Sequence, residues 1–151
     1  MASTARMAHE IHDTVAELLA RAGQRYTPVR RATVDALSGA ARPVTIVDIL
    51  DTADAKLAQS SVYRTLTVLE EAGVVHRLPG PVGFARYELA ESLTEHHHHL
   101  VCVSCGTVED LPASSRLEKT VAMAAAEVTA DTGFKLHGHR LDLVGLCARC
   151  K

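Results

Sequence analysis

The feature that most constrains the fold is a pair of Cys-x-x-Cys motifs, which contain all four cysteines of the 151-residue chain. Cys102 and Cys105 form the first motif, and Cys147 and Cys150 form the second. Two such pairs can bring four thiolates into a tetrahedron around one zinc ion, and an all-cysteine set leaves no open position for chemistry. A redox or disulfide role for a single pair leaves the other pair unexplained. The motifs therefore predict a structural zinc site that ties the end of the last strand to the turn after residue 101.

Four consecutive histidines, His96 to His99, stand just before the first motif. If this run is extended, successive side chains point to opposite faces of the strand. His96 and His98 then share one face, and His97 and His99 share the other. One tetrapeptide can therefore serve two separate metal sites.

The other candidate ligands are histidines and carboxylates: His76, Glu88, Asp110, Glu118, His137 and His139. Mixed imidazole and carboxylate sites suit iron(II), manganese, nickel or zinc, and they bind more exchangeably than four thiolates. Such sites suit a sensor. His139 is the favoured ligand of its pair, and we expect His137, together with His9 and His12 on the first helix, to be exposed.

Composition narrows the class of protein. A content of 47% hydrophobic residues in 151 is enough for one ordinary domain or two small ones. The net charge of -2 gives no global signature of nucleic-acid binding. We find neither an 18-residue apolar run nor a signal peptide, so we expect a soluble, cytoplasmic protein without a membrane partner.

The first half reads as four helices and a wing. Apolar spacing predicts helices at about residues 4–22, from Thr27-Pro28 to Ser38, and from Val44-Thr45 to about residue 51. A fourth helix, capped by Ser60 or Ser61, ends at Gly73 in a left-handed cap. A turn rich in proline and glycine and an extended segment at residues 84–89 follow. Together these elements predict a helix-turn-helix with a two-stranded wing.

The outward face of the fourth helix carries Ser61, Tyr63, Arg64 and Thr67. Arginine can pair with a guanine edge, and hydroxyl groups can reach phosphates, so this face suits DNA; the alternative is an ordinary solvated face. A local basic patch supports DNA binding, because across residues 21–42 only Asp35 opposes five arginines, which are Arg21, Arg25, Arg30, Arg31 and Arg42.

The second half reads as a small α/β arrangement. A helix is predicted at about residues 114–131, followed by a last strand at residues 135–144. We expect the helix to bury an apolar stripe that consists of Leu117, Val121, Ala124, Ala125 and Val128. Because so few elements cannot enclose a large core, we expect a homodimer.

Several short motifs, taken together, resemble one family. They are Thr27-Pro-x-Arg30, Ser61-Val-Tyr-Arg64-Thr, Glu71-Ala-Gly-Val-Val, Arg86-Tyr-Glu-Leu, the histidine run joined to Cys102-x-x-Cys105-Gly, and Cys147-x-x-Cys150. Over nearly its whole length the chain resembles the ferric uptake regulator (Fur) family. The implied fold is α+β, with an N-terminal winged helix-turn-helix DNA-binding domain at residues 1–83, a hinge at about 80–88, and a C-terminal α/β dimerisation domain at 84–151.

The resemblance also implies a function. Members are metal-dependent homodimers that act mostly as transcriptional repressors, so the chain is expected to bind double-stranded operator DNA and no small organic substrate. It is not expected to be an enzyme. A divalent regulatory metal, iron first and zinc or manganese next, is expected to switch on operator binding, beside a structural Zn²⁺.

The resemblance assigns the metal ligands position by position. The structural zinc site matches Cys102, Cys105, Cys147 and Cys150. The sensor site matches Glu88, His97, His99 and Asp110. A further histidine of iron-type members falls at Pro43, and His76, at a position that zinc-sensing members use, is the expected replacement. Those zinc sensors also use a cysteine where this chain has Ala90, and an aspartate at position 110 occurs in peroxide-sensing members.

The third site and the DNA contacts follow in the same way. The third site matches His96, His98, His139 and Glu118, with Ala122 as the other alignment, which cannot ligate. Tyr63 and Arg64 match the base-contacting pair, and Arg25 matches a residue directed into the minor groove, where arginine suits the electronegative surface.

Two other functions are compatible with parts of the sequence. A zinc-dependent hydrolase requires a three-ligand metal with a bound water and a general base, for which Glu88 or Glu95 could serve, but no substrate-binding loop adjoins them. A metal-buffering protein without DNA binding accounts for the histidines and cysteines and leaves the Ser61 to Thr65 motif unexplained.

Overall fold

The computed structural model describes residues 2–40, 42–53, 56–78 and 85–151. The chain divides into two compact units, Met1–Glu95 and His96–Lys151. The helices are α1 (Ala2–Arg21), α2 (Pro28–Ser38), α3 (Ile46–Thr52), α4 (Gln59–Glu71) and α5 (Ser115–Ala130). The strands are β1 (Val75–Leu78), β2 (Arg86–Leu89), β3 (His97–Cys102), β4 (Val108–Pro112) and β5 (Asp142–Gly145). Helices with small sheets confirm the predicted α+β class.

Local capping chemistry fixes where α2 and α3 begin. The Thr27 side chain accepts a hydrogen bond from the Arg30 N–H, and Pro28 occupies the first turn, as predicted. Before α3, Thr45 and Asp48 form a capping box in which each side chain accepts a hydrogen bond from the other residue's N–H. Burial raises the pKa of Asp48, but its hydrogen bonds with Thr45 outweigh that effect and the net shift is downward.

The start of α4 differs from the prediction. The helix begins at Gln59, and its cap residue Ala58 makes no side-chain hydrogen bond. Ser60 and Ser61 therefore lie inside the first turn, and the predicted serine cap is wrong. The predicted end is confirmed, because Gly73 adopts a φ of 72° that side chains disfavour, and the Val74 N–H donates to the Leu69 carbonyl.

The first unit has one apolar core, to which its helices and the wing all contribute. Its fully buried side chains include Val15, Leu19, Val34, Ile49, Val62, Leu66, Leu69, Val74 and Val75. The wing is the antiparallel pair β1 and β2, in which His76 lies opposite Glu88. Tyr87 in β2 also exchanges two backbone hydrogen bonds with Val44. Since β2 pairs within this unit, the unit ends at Glu95 rather than at the predicted residue 83. Of the predicted hinge, residues 80–84 lie outside the described residues, and 86–88 belong to β2.

The second unit is built on a three-stranded sheet in the order β4-β3-β5. The central strand β3 pairs antiparallel with β4 and parallel with β5. The predicted last strand is too long, because β5 spans only Asp142–Gly145, and His137 and His139 precede it.

Both ends of helix α5 lie within one residue of the prediction. The predicted burial of its apolar stripe is wrong. Among the described residues none of α5 is buried, and Val128 is 70% exposed. The predicted stripe is apolar, yet one helix and three short strands supply too little surface to cover it. None of the helices described here combines the length and apolar character needed to cross a bilayer.

Candidate metal centres

The four cysteines converge at one point of the second unit. Their Sγ atoms all lie within 4.8 Å of one another, and the Cys105 and Cys147 sulfurs are 3.7 Å apart. A zinc tetrahedron with bonds of about 2.3 Å has sulfur–sulfur edges of about 3.8 Å. A disulfide bond is far shorter, about 2.05 Å. The spacing therefore fits four ligands of one zinc ion.

The electrostatics of the cysteine cluster also fit a cation. Hydrogen bonds from the backbone N–H groups of Cys105 and Cys147 lower the pKa of Cys102 to about 6. A hydrogen bond from Ser104 acts to lower the pKa of Cys150. The contacts of Cys150 with Cys147 and Cys105 outweigh that hydrogen bond and raise the pKa of Cys150 to about 11. Neighbouring thiolates repel one another, so all four sulfurs can ionise together only beside a positive charge.

A second cluster joins β3 to α5 and contains His96, His98, Glu118 and His139. Glu118 Oε1 is 2.7 Å from His98 Nε2, and Glu118 Oε2 is 3.3 Å from His96 Nε2 and 3.2 Å from His139 Nε2. The hydrogen bond from His98 lowers the pKa of Glu118. Three imidazole nitrogens thus surround one carboxylate. Glu118, and not Ala122, is the α5 residue in this cluster.

His98 supplies a further sign that the second cluster fits a metal. Its side chain is fully buried, and its Nδ1 has no hydrogen-bond partner in the part of the chain that the structure describes. Burying a ring nitrogen without a partner is unfavourable unless another interaction of the ring compensates. An ion or a water bound at the cluster is an ordinary explanation of such an unpaired buried atom.

A third group lies on the other face of β3 and contains His97, His99 and Asp110. Their ligand atoms lie within 4.8 Å of one another, and the two imidazole rings are 5.0 Å apart. Asp110 in β4 pairs directly with His99. The predicted alternation along the histidine run is therefore present, with even-numbered histidines facing Glu118 and odd-numbered ones facing Asp110.

One acidic neighbour of this group was not predicted from the sequence. Asp142 in β5 lies opposite His99, and its Oδ1 is 3.1 Å from His99 Nδ1. The available signal was Asp142 itself, as the acidic residue of the predicted last strand. Its pairing partner depends on a strand register that a single sequence does not reveal.

The remaining predicted ligands belong to the first unit. His76 and Glu88 face each other across the wing, and both side chains are partly buried. Cross-strand partners of this kind have Cβ atoms only about 5 Å apart, close enough to contact one ligand.

Four of the predicted DNA-contacting residues lie on α4. Its inner face buries Val62, Leu66 and Leu69, so Tyr63 is 52% exposed and Arg64 and Thr67 are also exposed. Ser61 is partly buried. Arg25, before α2, is exposed, and its carbonyl accepts a hydrogen bond from the Arg30 guanidinium.

His12 was expected to be exposed, and that expectation is wrong. Its side chain is only 12% exposed, with Nδ1 2.6 Å from the Tyr26 hydroxyl and Nε2 2.8 Å from Asp35. These partners are distant in sequence, so helical periodicity alone could not reveal them. Burial raises the pKa of Tyr26 to about 12, against the opposing charge of Arg31.

Comparisons with known proteins identify one family. Residues 21–144 match the model of the ferric uptake regulator family. The peroxide operon regulator of Bacillus subtilis is 30% identical over 95% of this chain and 94% of its own length. The ferric uptake regulation protein of the same organism is 31% identical over 91% and 93%.

A solved structure has a similar fold. The Helicobacter pylori ferric uptake regulator, described as having three functional metal binding sites, is 25% identical and superposes with a TM-score of 0.73. The match covers 95% of this chain and 93% of that one. The chain therefore belongs to the ferric uptake regulator family of metal-responsive transcription regulators, and it is not an enzyme.

Proposed function

We propose that this protein is a homodimeric, cytoplasmic transcriptional repressor whose operator binding is switched on by a divalent metal ion. The observation that carries the proposal is the sorting of one histidine run into two ligand clusters on opposite faces of β3, beside a separate cluster of four cysteines. The description of three functional metal binding sites in the Helicobacter pylori relative supports this division.

The donor sets suggest different roles for the three clusters. Four thiolates suit a permanent structural Zn²⁺. His96, His98, Glu118 and His139 form the proposed third site. His97, His99 and Asp110, completed by Glu88 and His76 from the wing, form the proposed sensor site. Imidazole and carboxylate donors allow the exchange that a sensor needs, with iron(II) first and zinc or manganese next.

The proposed switch is a shift of population between arrangements of the two units. A divalent cation at the proposed sensor site would supply the positive charge that its imidazole and carboxylate ligands require. Of these proposed ligands, Glu88 and His76 belong to the first unit, and His97, His99 and Asp110 belong to the second. To move the population from 1:99 to 99:1, binding must favour the DNA-competent arrangement by about 5.5 kcal/mol. Neutral imidazoles are required, so acidification is expected to weaken operator binding.

The proposed partner is double-stranded DNA read by α4. Tyr63 and Arg64 project from the exposed face, where arginine can pair bidentately with guanine. Ser61 and Thr67 can reach phosphates from the same helix. Arg25 lies outside this helix and is proposed to enter the minor groove.

The second unit offers a surface for the proposed homodimer. Its exposed large apolar side chains include Met123, Val128, Phe134, Leu136, Leu143, Val144 and Leu146. So many exposed apolar side chains on a small unit are typical of a surface that a partner covers. A second copy of the chain would cover this surface and bring two recognition helices to one operator.

The test is operator binding by the full chain with its structural zinc retained. After selection of a duplex from a random pool, binding is titrated separately with iron(II) under anaerobic conditions, manganese, zinc and nickel, and bound metal is counted by elemental analysis. We expect His97→Ala to abolish metal-dependent binding. We expect the matched variant His96→Ala, on the opposite face of the strand, mainly to lower stability. Equal loss of operator binding in the two variants would contradict the assignment.

A further inference from the structure

The additional feature is the contact between Asp142 and His99, at the centre of the second unit. The parallel ladder of β3 and β5 pairs the two residues directly, and the His99 N–H donates to the neighbouring Leu141 carbonyl at 3.2 Å. Asp142 Oδ1 lies 3.1 Å from His99 Nδ1, with the His99 side chain 6% exposed and that of Asp142 40% exposed. Backbone and side chain together fix this imidazole.

The chemistry of the contact determines the tautomer. An ionised carboxylate only accepts hydrogen bonds, so the hydrogen in this contact belongs to His99 Nδ1. A neutral imidazole carries one N–H, which leaves its lone pair on Nε2. The ring therefore presents Nε2 as its metal-binding atom.

The two aspartates that flank His99 have different relations to the cluster. Asp110 in β4 and Asp142 in β5 are both strand partners of His99. Among the described residues, the converging ligand atoms include one from Asp110 and none from Asp142. Asp142 instead contacts Nδ1 of the His99 ring.

We propose that Asp142 is a positioning residue of the sensor site, which holds the His99 ring in the tautomer and orientation that present Nε2 to a divalent cation. The inference rests on the proposed function, because it takes His99 as a sensor ligand. A carboxylate that accepts the N–H of a metal-bound histidine, on the ring nitrogen away from the metal, typically contributes about 10- to 100-fold to metal affinity.

The experiment compares Asp142→Leu and Asp142→Asn with Glu127→Gln, a control that removes one exposed negative charge from α5. Long-range ¹⁵N NMR of full-length protein, loaded with structural zinc and free of sensor metal, reports the tautomer of His99. Competition titration with cobalt(II) measures affinity, and elemental analysis with circular dichroism checks that zinc and fold are retained.

We expect the Nδ1–H tautomer in the unaltered protein and in Glu127→Gln. Asp142→Leu is expected to remove the preference for this tautomer and to weaken cobalt affinity at the sensor site by about 10- to 100-fold. Asp142→Asn is expected to lie between them, because its amide oxygen accepts the same hydrogen bond without a charge.

Three results would overturn the inference. They are an Nε2–H tautomer in the unaltered protein, unchanged affinity in Asp142→Leu, or a loss in Asp142→Asn as complete as that in His99→Ala, since the last makes Asp142 itself a ligand. Full cobalt affinity and metal-dependent operator binding in His99→Ala would instead overturn the sensor assignment on which the inference rests.

Discussion

The two units of this chain are stabilised in different ways. In the first, Leu19 and Leu66 are 0% and 1% exposed, and each such side chain contributes about 1.5–3 kcal/mol by leaving water. In the second, Val128 and Val144 are 70% and 67% exposed, while His98 and His99 are buried. The first unit therefore depends on an apolar core. The second buries histidines of the candidate metal clusters and leaves large apolar side chains exposed, so we expect its stability to depend on bound metal and on a partner.

The largest expected effect comes from breaking the cysteine cluster. We expect Cys147→Ser to release the structural zinc, whose binding contributes on the order of 10 kcal/mol to folding, and to unfold the second unit while the first stays folded. Hydrogen exchange followed by mass spectrometry distinguishes the units. Val103→Ser, between the first two cysteines but 55% exposed, is the matched control and should retain zinc. An equal loss of protection from hydrogen exchange in both units would contradict the separate stabilisation of the two units.

A core truncation tests the first unit. Leu66→Ala is expected to lower its free energy of unfolding by about 2–5 kcal/mol, because it leaves a cavity between packed helices. Urea denaturation monitored by signals of the first unit provides the measurement. Leu143→Ala, at a position 47% exposed in the second unit, should leave that transition unchanged. A similar shift from both variants would show that the core is shared.

An acidic substitution tests the apolar surface. Val144→Asp is expected to weaken dimer association at least about tenfold, or about 1.4 kcal/mol, because it places a charge in a dry interface. Sedimentation equilibrium measures the dissociation constant. Val47→Asp makes the same change at a 56% exposed position of the first unit and should not alter it. Unchanged association of Val144→Asp would exclude Val144 from the interface.

Removing a helix cap has a smaller expected effect. Thr45→Ala is expected to lower the stability of the first unit by about 1 kcal/mol, because the Asp48 N–H loses its acceptor. The measurement is again urea denaturation. Ser114→Ala removes the equivalent acceptor from α5, which lies in the second unit. A loss in the first-unit transition from Ser114→Ala would contradict the independence of the two units.

The prediction confined to the narrowest range of conditions is a pH dependence at Tyr26. Its pKa is raised to about 12 from 10.0, so folding favours the neutral phenol. This contribution is fully present below pH 10 and is lost as the pH rises through about 12. Stability of the first unit between pH 9 and the onset of alkaline unfolding is compared with that of Tyr26→Phe, in which this part of the decline should be absent. Identical pH profiles would contradict the prediction.

Features that depend on interactions between residues close in sequence could be predicted, and features that depend on distant residues could not. Thr27-Pro28 and Gly73 act within a few residues, so the helix ends that they form could be predicted from the sequence. The spacing within each Cys-x-x-Cys pair is equally local, and the ligand chemistry of four thiolates predicts that the two pairs converge. Alternation along the histidine run requires only strand geometry. The start of α4, the shortness of β5 and the burial of His12 depend on contacts between distant residues. Periodicity locates the apolar stripe of α5 but does not show what covers it, and no described residue of this helix is buried.

The shortness of β5 has a consequence for the order of assembly. Only four residues, Asp142–Gly145, pair with β3, and the fastening that follows them is the cysteine cluster. So short a ladder holds its alignment weakly, and a slip by one residue would turn Asp142 away from His99. On the proposed assignment of the sites, zinc at the cysteine cluster holds β5 in register with β3, so zinc must bind before the second ion can be sensed. A chain that lacks zinc would then fail to respond to the second ion at any concentration.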